Sequence, residues 1–269
     1  MSDWTLITVA YNSAHTLRDH WAPGPPADVE WIVVDNDSQD DTVDVAQQLG
    51  ARVIRVGENV GFARANNIGL RHANGRFVGF INPDVRVKYE DLPDLGRHLD
   101  QDPAILAPQL LNPDSSRQPN GRGAPILATK MRNRLLRSRG LEGSYLLPVK
   151  DGTIRSVWWA TGAALLATKN IINRLGGWDE RYFLYHEDSD ICMRAWRAGI
   201  AVKVVGTHMW EHSWARESAS LKLRPILHEL RSSLIFYRSY PQLIFGGPLP
   251  RSTFRRTHRA VTADWESAS

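Results

Sequence analysis

In the segment YFLYHEDSDICMRAW, residues 182–196, the carboxylates Glu187, Asp188 and Asp190 follow an aromatic run that ends at Tyr185 and His186. Burial disfavours the charged form of a carboxyl group and raises its pKa. A carboxylate raised in this way is a better acceptor for a hydroxyl proton. The same residues also suit the start of a helix near Ser189, with Asp188 as cap and Asp190 favoured by the helix dipole. The two readings are compatible. Asp190 is assigned to structure; from this segment alone helix cap and proton acceptor stay equally open for Asp188, with Glu187 placed to orient hydroxyls.

Three further polar groups each end an apolar run: Tyr11-Asn12, Asp35-Asn36 and Asn82-Pro83-Asp84. TLITVAYN (5–12), Trp31–Val34, ARVIRVG (51–57) and RFVGFINPDV (76–85) read as strands. The near-continuous apolar run Trp31–Val34 suggests burial on both faces. Helical spacing marks Thr42–Leu49, which Gly50 ends, and GFARANNIGLRHANG (61–75). Strands alternating with helices predict a mostly parallel sheet flanked by helices. In such sheets ligands sit at the carboxyl ends of the strands, so the three polar groups should meet at one rim.

The second half is less regular. PDLGRHLDQDP reads as a surface helix. SVWWATGAALLATKN reads as a strand-like segment leading into a helix, Lys169–Leu175. AWRAGIAVKVVGTHMWEHS gives a helix end at Gly199, a strand and a His-rich loop, and LHELRSSLIFYRSY has helical spacing. One α/β unit is expected over 1–215. A basic helical extension follows over 216–269, its last residues frayed.

The chain has 269 residues, 42% hydrophobic and 23% charged, which fits a globular core. No apolar run approaches the roughly 20 residues of a bilayer span. The start, MSDWTLITVAYN, reads as a first strand rather than a signal peptide. The one cysteine, Cys192, excludes an internal disulfide and a cysteine metal cluster, and points to a reducing cytoplasm. Net charge is only +4, yet seven Lys/Arg and no acid fall between Arg117 and Arg139. RSTFRRTHRA (251–260) repeats the pattern. Anionic lipid at the inner face of a membrane is the expected collective partner, and nucleic acid is not.

VVDNDSQDDT, NVGFARANNIGL, FINPDV and GGWDERYFLYHEDSDICMRAWRAG occur in this order. Together they resemble the family 2 glycosyltransferases of the GT-A fold, and most of all the bacterial rhamnosyltransferase-like branch. The resemblance covers most of residues 5–215. It implies inverting transfer of a sugar from a dTDP- or UDP-linked donor to a hydroxyl acceptor, assisted by Mg²⁺ or Mn²⁺. The sugar would be a hexose or deoxyhexose such as rhamnose and the setting cell-surface glycan synthesis. The basic stretches and the LIFYRSYPQLIFGG segment (234–247) point to a lipid-linked acceptor, with a soluble small molecule as the alternative.

By that resemblance Asp35 contacts the base, Asp84 binds metal and diphosphate, and Asp188 is the catalytic base. His208 or His212 holds the metal. Tyr11, Asn12, Gly61, Arg64, Asn67 and Asn82 are expected along the nucleotide sugar, and Trp158, Trp159 and Gly162 beside the sugar or acceptor. Two departures stand out: Asn82 replaces an acid, and Trp210-Glu211 replaces the small residues common in relatives.

The chemistry is consistent with these roles. Mg²⁺ often takes one or two carboxylates plus substrate phosphates, so Asp84 alone suffices. Asp35 can accept from a pyrimidine imide. Each residue also has a plainer reading: turn residue for Asp84, Asx turn for Asp35, tight packing for Gly61, solvation for Arg64, core for one tryptophan. A dehydrogenase would need G-x-G-x-x-G after the first strand, which is absent. A non-catalytic nucleotide or glycan binder on a degenerate scaffold is the competing reading, motivated by the two departures.

Overall fold

The computed structural model describes residues 3–138, 145–147, 149, 152–213, 223–244 and 255–266. Four parallel strands open the fold: β1 (Trp4–Ala10), β2 (Val29–Asp35), β3 (Arg52–Arg55) and β4 (Phe77–Ile81). Between them run α1 (Ala14–Trp21), α2 (Thr42–Gln48) and α3 (Phe62–His72). After β4 come β5 (Val85–Arg86), α4 (Leu92–Gln101), β6 (Ala104–Leu111) and β7 (Gly121–Arg122). Then follow α5 (Leu127–Ser138), β8 (Leu146–Leu147), β9 (Ile154–Ser156), β10 (Trp159–Ala160), β11 (Ala164–Thr168) and α6 (Lys169–Arg174). The chain closes with α7 (Glu187–Arg197), β12 (Ala201–His212), α8 (Leu223–Ser239) and α9 (Arg255–Glu266).

The large sheet has the order β3-β2-β1-β4-β11-β6-β12-β5, with β9 on β12. The β3-β2-β1-β4 half is parallel, as expected. β11 inserts antiparallel between β4 and β6, so the other half is mixed. Alternation divides the strands between two cores. Ile7, Ile32 and Val34 face α3, α6 and α7, whereas Leu6, Trp31 and Val33 face α1, α2 and α4. On the second side Trp21 stacks on Trp31 with centroids 4.3 Å apart.

α1 and β6, and the short strands β5, β7, β8 and β9, went unread in the sequence. α1 buries only Ala14, Leu17 and Trp21 among polar neighbours. β6 contains Pro108, which argues against a central strand because it lacks an N–H for the ladder. The structure accommodates it with a bulge. Val205 of β12 pairs with Pro108, and the next pair is Met209 with Gln109, so residues 206–208 loop out.

The His-rich segment expected as a loop is therefore the end of β12, with His208 in its bulge and His212 its last residue. The expected frayed end is helical through Glu266, and 267–269 lie outside the described residues. Arg139, 245–247 and 251–254 of the basic and apolar stretches also lie outside them.

Candidate active site

β1, β2 and β4 end together, and the loops that follow them form one wall of a cleft of about 520 Å³. Tyr11, Asn12, Asn36, Gly61, Asn82 and Asp84 lie on this wall, and Gly162, Glu187, Asp188 and His212 line it from the second half. The turn 82–84 is held by its main chain: Trp21 Nε1 donates to the Pro83 carbonyl at 3.1 Å, and Ser213 N donates to the Asp84 carbonyl at 3.0 Å. The Asp84 carboxylate faces His212, with Oδ1 3.4 Å from Nε2.

Gln118 sets the orientation of that imidazole. Its Nε2 donates to the His212 carbonyl at 2.6 Å, which turns its Oε1 toward His212 Nδ1 at 2.7 Å. An amide oxygen only accepts, so Nδ1 carries a proton and Nε2 is the ring nitrogen that faces Asp84, a lone-pair donor to a cation in the neutral imidazole. Buried Asn82 Oδ1 meets no hydrogen-bond partner among the described residues. Ligand oxygens and nitrogens around an octahedral cation with bonds of about 2.1 Å sit roughly 3 Å apart. A carboxylate, an oriented imidazole and an orphaned amide oxygen on this cleft fit a divalent ion.

Across the cleft α7 begins at Glu187 after two consecutive residues in left-handed backbone, Tyr185 (φ 72°) and His186 (φ 68°). Such conformations are costly for non-glycine residues and persist where their surroundings impose them. Here α8 imposes them. Ser232 Oγ donates to the Leu184 carbonyl at 2.7 Å, His228 stacks on Phe183, and Phe236 packs on His186. Opposite, Phe62 N donates to the Phe183 carbonyl at 2.8 Å. A Cβ on Gly61, at φ 83°, would stand 2.5 Å from that same carbonyl oxygen.

Asp188 accepts from Gly162 N at 3.1 Å through Oδ2 and from Ser189 N at 2.6 Å through Oδ1. Burial pushes its pKa up, and these hydrogen bonds and Lys130 pull the other way. Glu187 is raised well above the usual range by burial and by the Asp188 charge beside it. Its Oε2 is buried with no hydrogen-bond partner among the described residues. Lys130 Nζ lies 3.5 Å from His186 Nε2. Burial, aided by that ammonium, lowers the His186 pKa to about 3, so the imidazole is neutral. Asp190 turns from the cleft to bind Arg194 Nε at 2.7 Å and Tyr240 Oη at 2.9 Å, the structural role expected for it.

Several expected site residues stand elsewhere. Asp35 is buried, and its Oδ1 accepts from Ser38 N at 3.2 Å, an Asx turn; its neighbour Asn36 takes the place on the cleft wall. Arg64 points to Glu180, 3.9 Å away. Asn67 donates to the Trp178 carbonyl at 2.8 Å and to Glu180 at 2.9 Å, tying α3 to the loop before α7. Trp158 and Trp159 are core residues off the cleft; the Trp158 carbonyl accepts from Trp196 Nε1, and Trp159 packs on Tyr145.

The bulge carries His208 away from the cleft. It lies between Asp91 (3.0 Å) and Asp94 (2.7 Å), near His98, in a separate cluster with metal-ligand spacing. Its hydrogen bond holds the Asp94 carboxyl below the usual range. Asn59, Gln118, Asn120 and Arg122 line the cleft but were not singled out in the sequence. Gln118, Asn120 and Arg122 fall in a stretch whose only visible signal was its basic charge.

A sheet of this order, with its strand-end cleft and paired carboxyl groups, is the GT-A fold of glycosyltransferases. The fold has a solved counterpart in a mannosyltransferase from Pyrobaculum calidifontis, determined with GDP-Man and Mn²⁺. That match has TM-score 0.59 and 17% identity and covers 99% of this chain and 76% of that one. The chain belongs to glycosyl transferase family 2, whose profile matches residues 5–152.

Among curated relatives, the low-salt glycan biosynthesis hexosyltransferase Agl10 of Haloferax volcanii is 26% identical over 208 residues, 75% of this chain. The chain spans 64% of that relative's length. The N-acetylglucosaminyl-diphospho-decaprenol L-rhamnosyltransferase of Mycobacterium tuberculosis is 28% identical over 216 residues, 71% of this chain and 70% of that protein.

Proposed function

We propose that this chain transfers a hexose or deoxyhexose, rhamnose foremost, from a nucleoside-diphosphate sugar to the hydroxyl of a lipid-linked acceptor, inverting the anomeric carbon. One observation carries the reading. A cation-type donor set, Asp84 with the oriented His212, shares a single cleft with a half-buried, raised carboxylate, Asp188. The relatives named as a hexosyltransferase and an L-rhamnosyltransferase support the class of sugar, and the decaprenol-linked substrate in the second name supports the acceptor.

Asp188 takes the acceptor proton as the hydroxyl oxygen bonds to the anomeric carbon and the bond to the β-phosphate oxygen breaks. Its Oδ2 is aimed by Gly162 N, and its raised pKa brings it nearer the working pH. Glu187, protonated, hydrogen-bonds a sugar or acceptor hydroxyl through its unpartnered oxygen. Tyr11, Asn12 and Asn36 bound the nucleoside side, and Gly61 lets the Phe183 turn close against the cleft.

Asp84, His212 and Asn82 would hold Mg²⁺ or Mn²⁺, which when bound supplies a Lewis acid against the charge growing on the leaving diphosphate. Residues 1–215 form the transferase unit and 216–269 the extension, whose helix α8 braces the acceptor side. Such an enzyme would work at the cytoplasmic face of the membrane that holds its acceptor.

The test is donor turnover. A panel of dTDP- and UDP-sugars should show metal-dependent release of nucleoside diphosphate from one donor, lost by at least about 10²-fold in Asp188→Asn while donor binding persists. Release unchanged in Asp188→Asn, or absent with every donor, would overturn the proposal in favour of a passive binder.

A further inference from the structure

α8 has two faces. Ser232, Phe236 and Tyr237 are buried against the body of the protein. On the other side Ile226, Leu227, Leu230 and Leu234 are 44%, 62%, 63% and 62% exposed. At 3.6 residues per turn, Leu227, Leu230 and Leu234 form one stripe, with the exposed Arg231 and Arg238 alongside it. Glu229 falls on the opposite side of the helix, toward Tyr185 and Lys130. Surface charge is thus segregated: positive beside the leucines, negative toward the cleft. Scattered exposed leucines are ordinary, but an aligned set on one helix marks a surface that meets something apolar.

We infer that this stripe is a docking face for an anionic lipid bilayer, with α8 lying in the interface plane. Leucines enter the acyl boundary while the two arginines meet lipid phosphates, the pattern of an interfacial amphipathic helix. The charge pattern favours lipid over a second copy of the chain, since a two-fold contact through this face would set arginines against arginines. No helix among the described residues is long and apolar enough to cross a membrane.

The position gives the contact a purpose. The buried side of α8 holds the 183–186 turn beside Glu187 and Asp188 through Ser232 and Phe236. A bilayer on the outer side would therefore present membrane-held acceptors next to the carboxyl pair. The purpose, though not the docking itself, rests on the lipid-linked acceptor proposed above.

The experiment is co-sedimentation of the full chain with 100-nm vesicles of phosphatidylglycerol and phosphatidylcholine, or of phosphatidylcholine alone. Wild-type and Leu227→Gln/Leu230→Gln/Leu234→Gln are compared, with Asp188→Asn as control. The expected result is wild-type binding to the anionic vesicles, weakened by salt. Partitioning should fall roughly tenfold or more in the triple variant, whose leucines lie outside the core. Asp188→Asn should bind vesicles like wild type, and the triple variant should release nucleoside diphosphate like wild type, which separates docking from chemistry.

Wild-type chain left in the supernatant would overturn the inference, as would vesicle binding unchanged in the triple variant. A wild-type dimer in sedimentation velocity that the triple variant converts to monomer, without vesicle binding, would assign the stripe to self-association instead.

Discussion

The Glu187→Gln variant should change how stability depends on pH. Glu187 is buried beside Asp188, and its folded-state pKa lies well above the ordinary 4.5. A raised carboxyl pKa means that the native state holds a proton the unfolded chain has already released. Its contribution to stability is therefore fully present below about pH 4.5 and lost as pH rises toward the folded pKa. In that window each pH unit costs the wild type about 1.4 kcal/mol. The glutamine amide that replaces the carboxyl group has nearly the same shape and no proton to lose.

As pH rises from about 4.5 toward the raised folded value, wild type should thus lose at most about 1.4 kcal/mol per pH unit relative to Glu187→Gln, or up to roughly 3–5 °C in Tm per unit for a chain of this size. Asp188, also raised, titrates together with Glu187, so the slope belongs to the pair and part of it remains in the variant. Differential scanning fluorimetry of both proteins in steps of half a pH unit from 4.5 to 7.5 measures the gap. Parallel Tm curves across that range would refute the claim that Glu187 is buried as a neutral acid.

His212→Ala should weaken Mn²⁺ binding, followed by loss of the free-ion EPR signal, by about 10-fold or more. His208→Ala should leave that binding within error of wild type but lower Tm, since it removes the imidazole from between Asp91 and Asp94. Equal losses of Mn²⁺ in the two would contradict the assignment of the cleft histidine. Gly61→Ala places a methyl against the Phe183 carbonyl at positive φ, so it should destabilise by about 2 kcal/mol or more in urea unfolding. A midpoint equal to wild type would show that the 183–186 turn yields freely.

Hydrophobic runs and their polar ends made the parallel half of the sheet legible, because a strand buried on both faces must be apolar throughout and ligands collect where it stops. For the same reason Asn82 and Asp84 could be read as rim residues before any coordinates, whereas Glu187 and Asp188 were marked by the aromatic run before them and by the family resemblance. α1 was hidden by its polar exterior, and β6 by Pro108, whose missing N–H is absorbed only by a bulge in the neighbouring strand.

That bulge also decides between the two histidines. Four residues apart in one strand, His208 and His212 look equivalent in sequence. Three looped-out residues turn the first onto α4, and the second is left at the strand end facing Asp84. Trp158 and Trp159 went astray for a related reason: an aromatic pair reads alike whether it lines a cleft or a core, and only the packing of α7 and Tyr145 chooses. Gln118 shows the same limit, since a neutral amide in a basic stretch carries no signal until the fold brings His212 against it.

The order of apolar runs and their polar endings thus determined the strand–helix alternation and the rim that collects Asn82 and Asp84, because backbone pairing and burial act on local pattern. Tertiary structure alone decided which histidine faces Asp84, that Asn36 and not Asp35 lines the cleft, and how deeply Glu187 and Asp188 are buried. Those outcomes depend on contacts between segments dozens of residues apart, which no local pattern encodes.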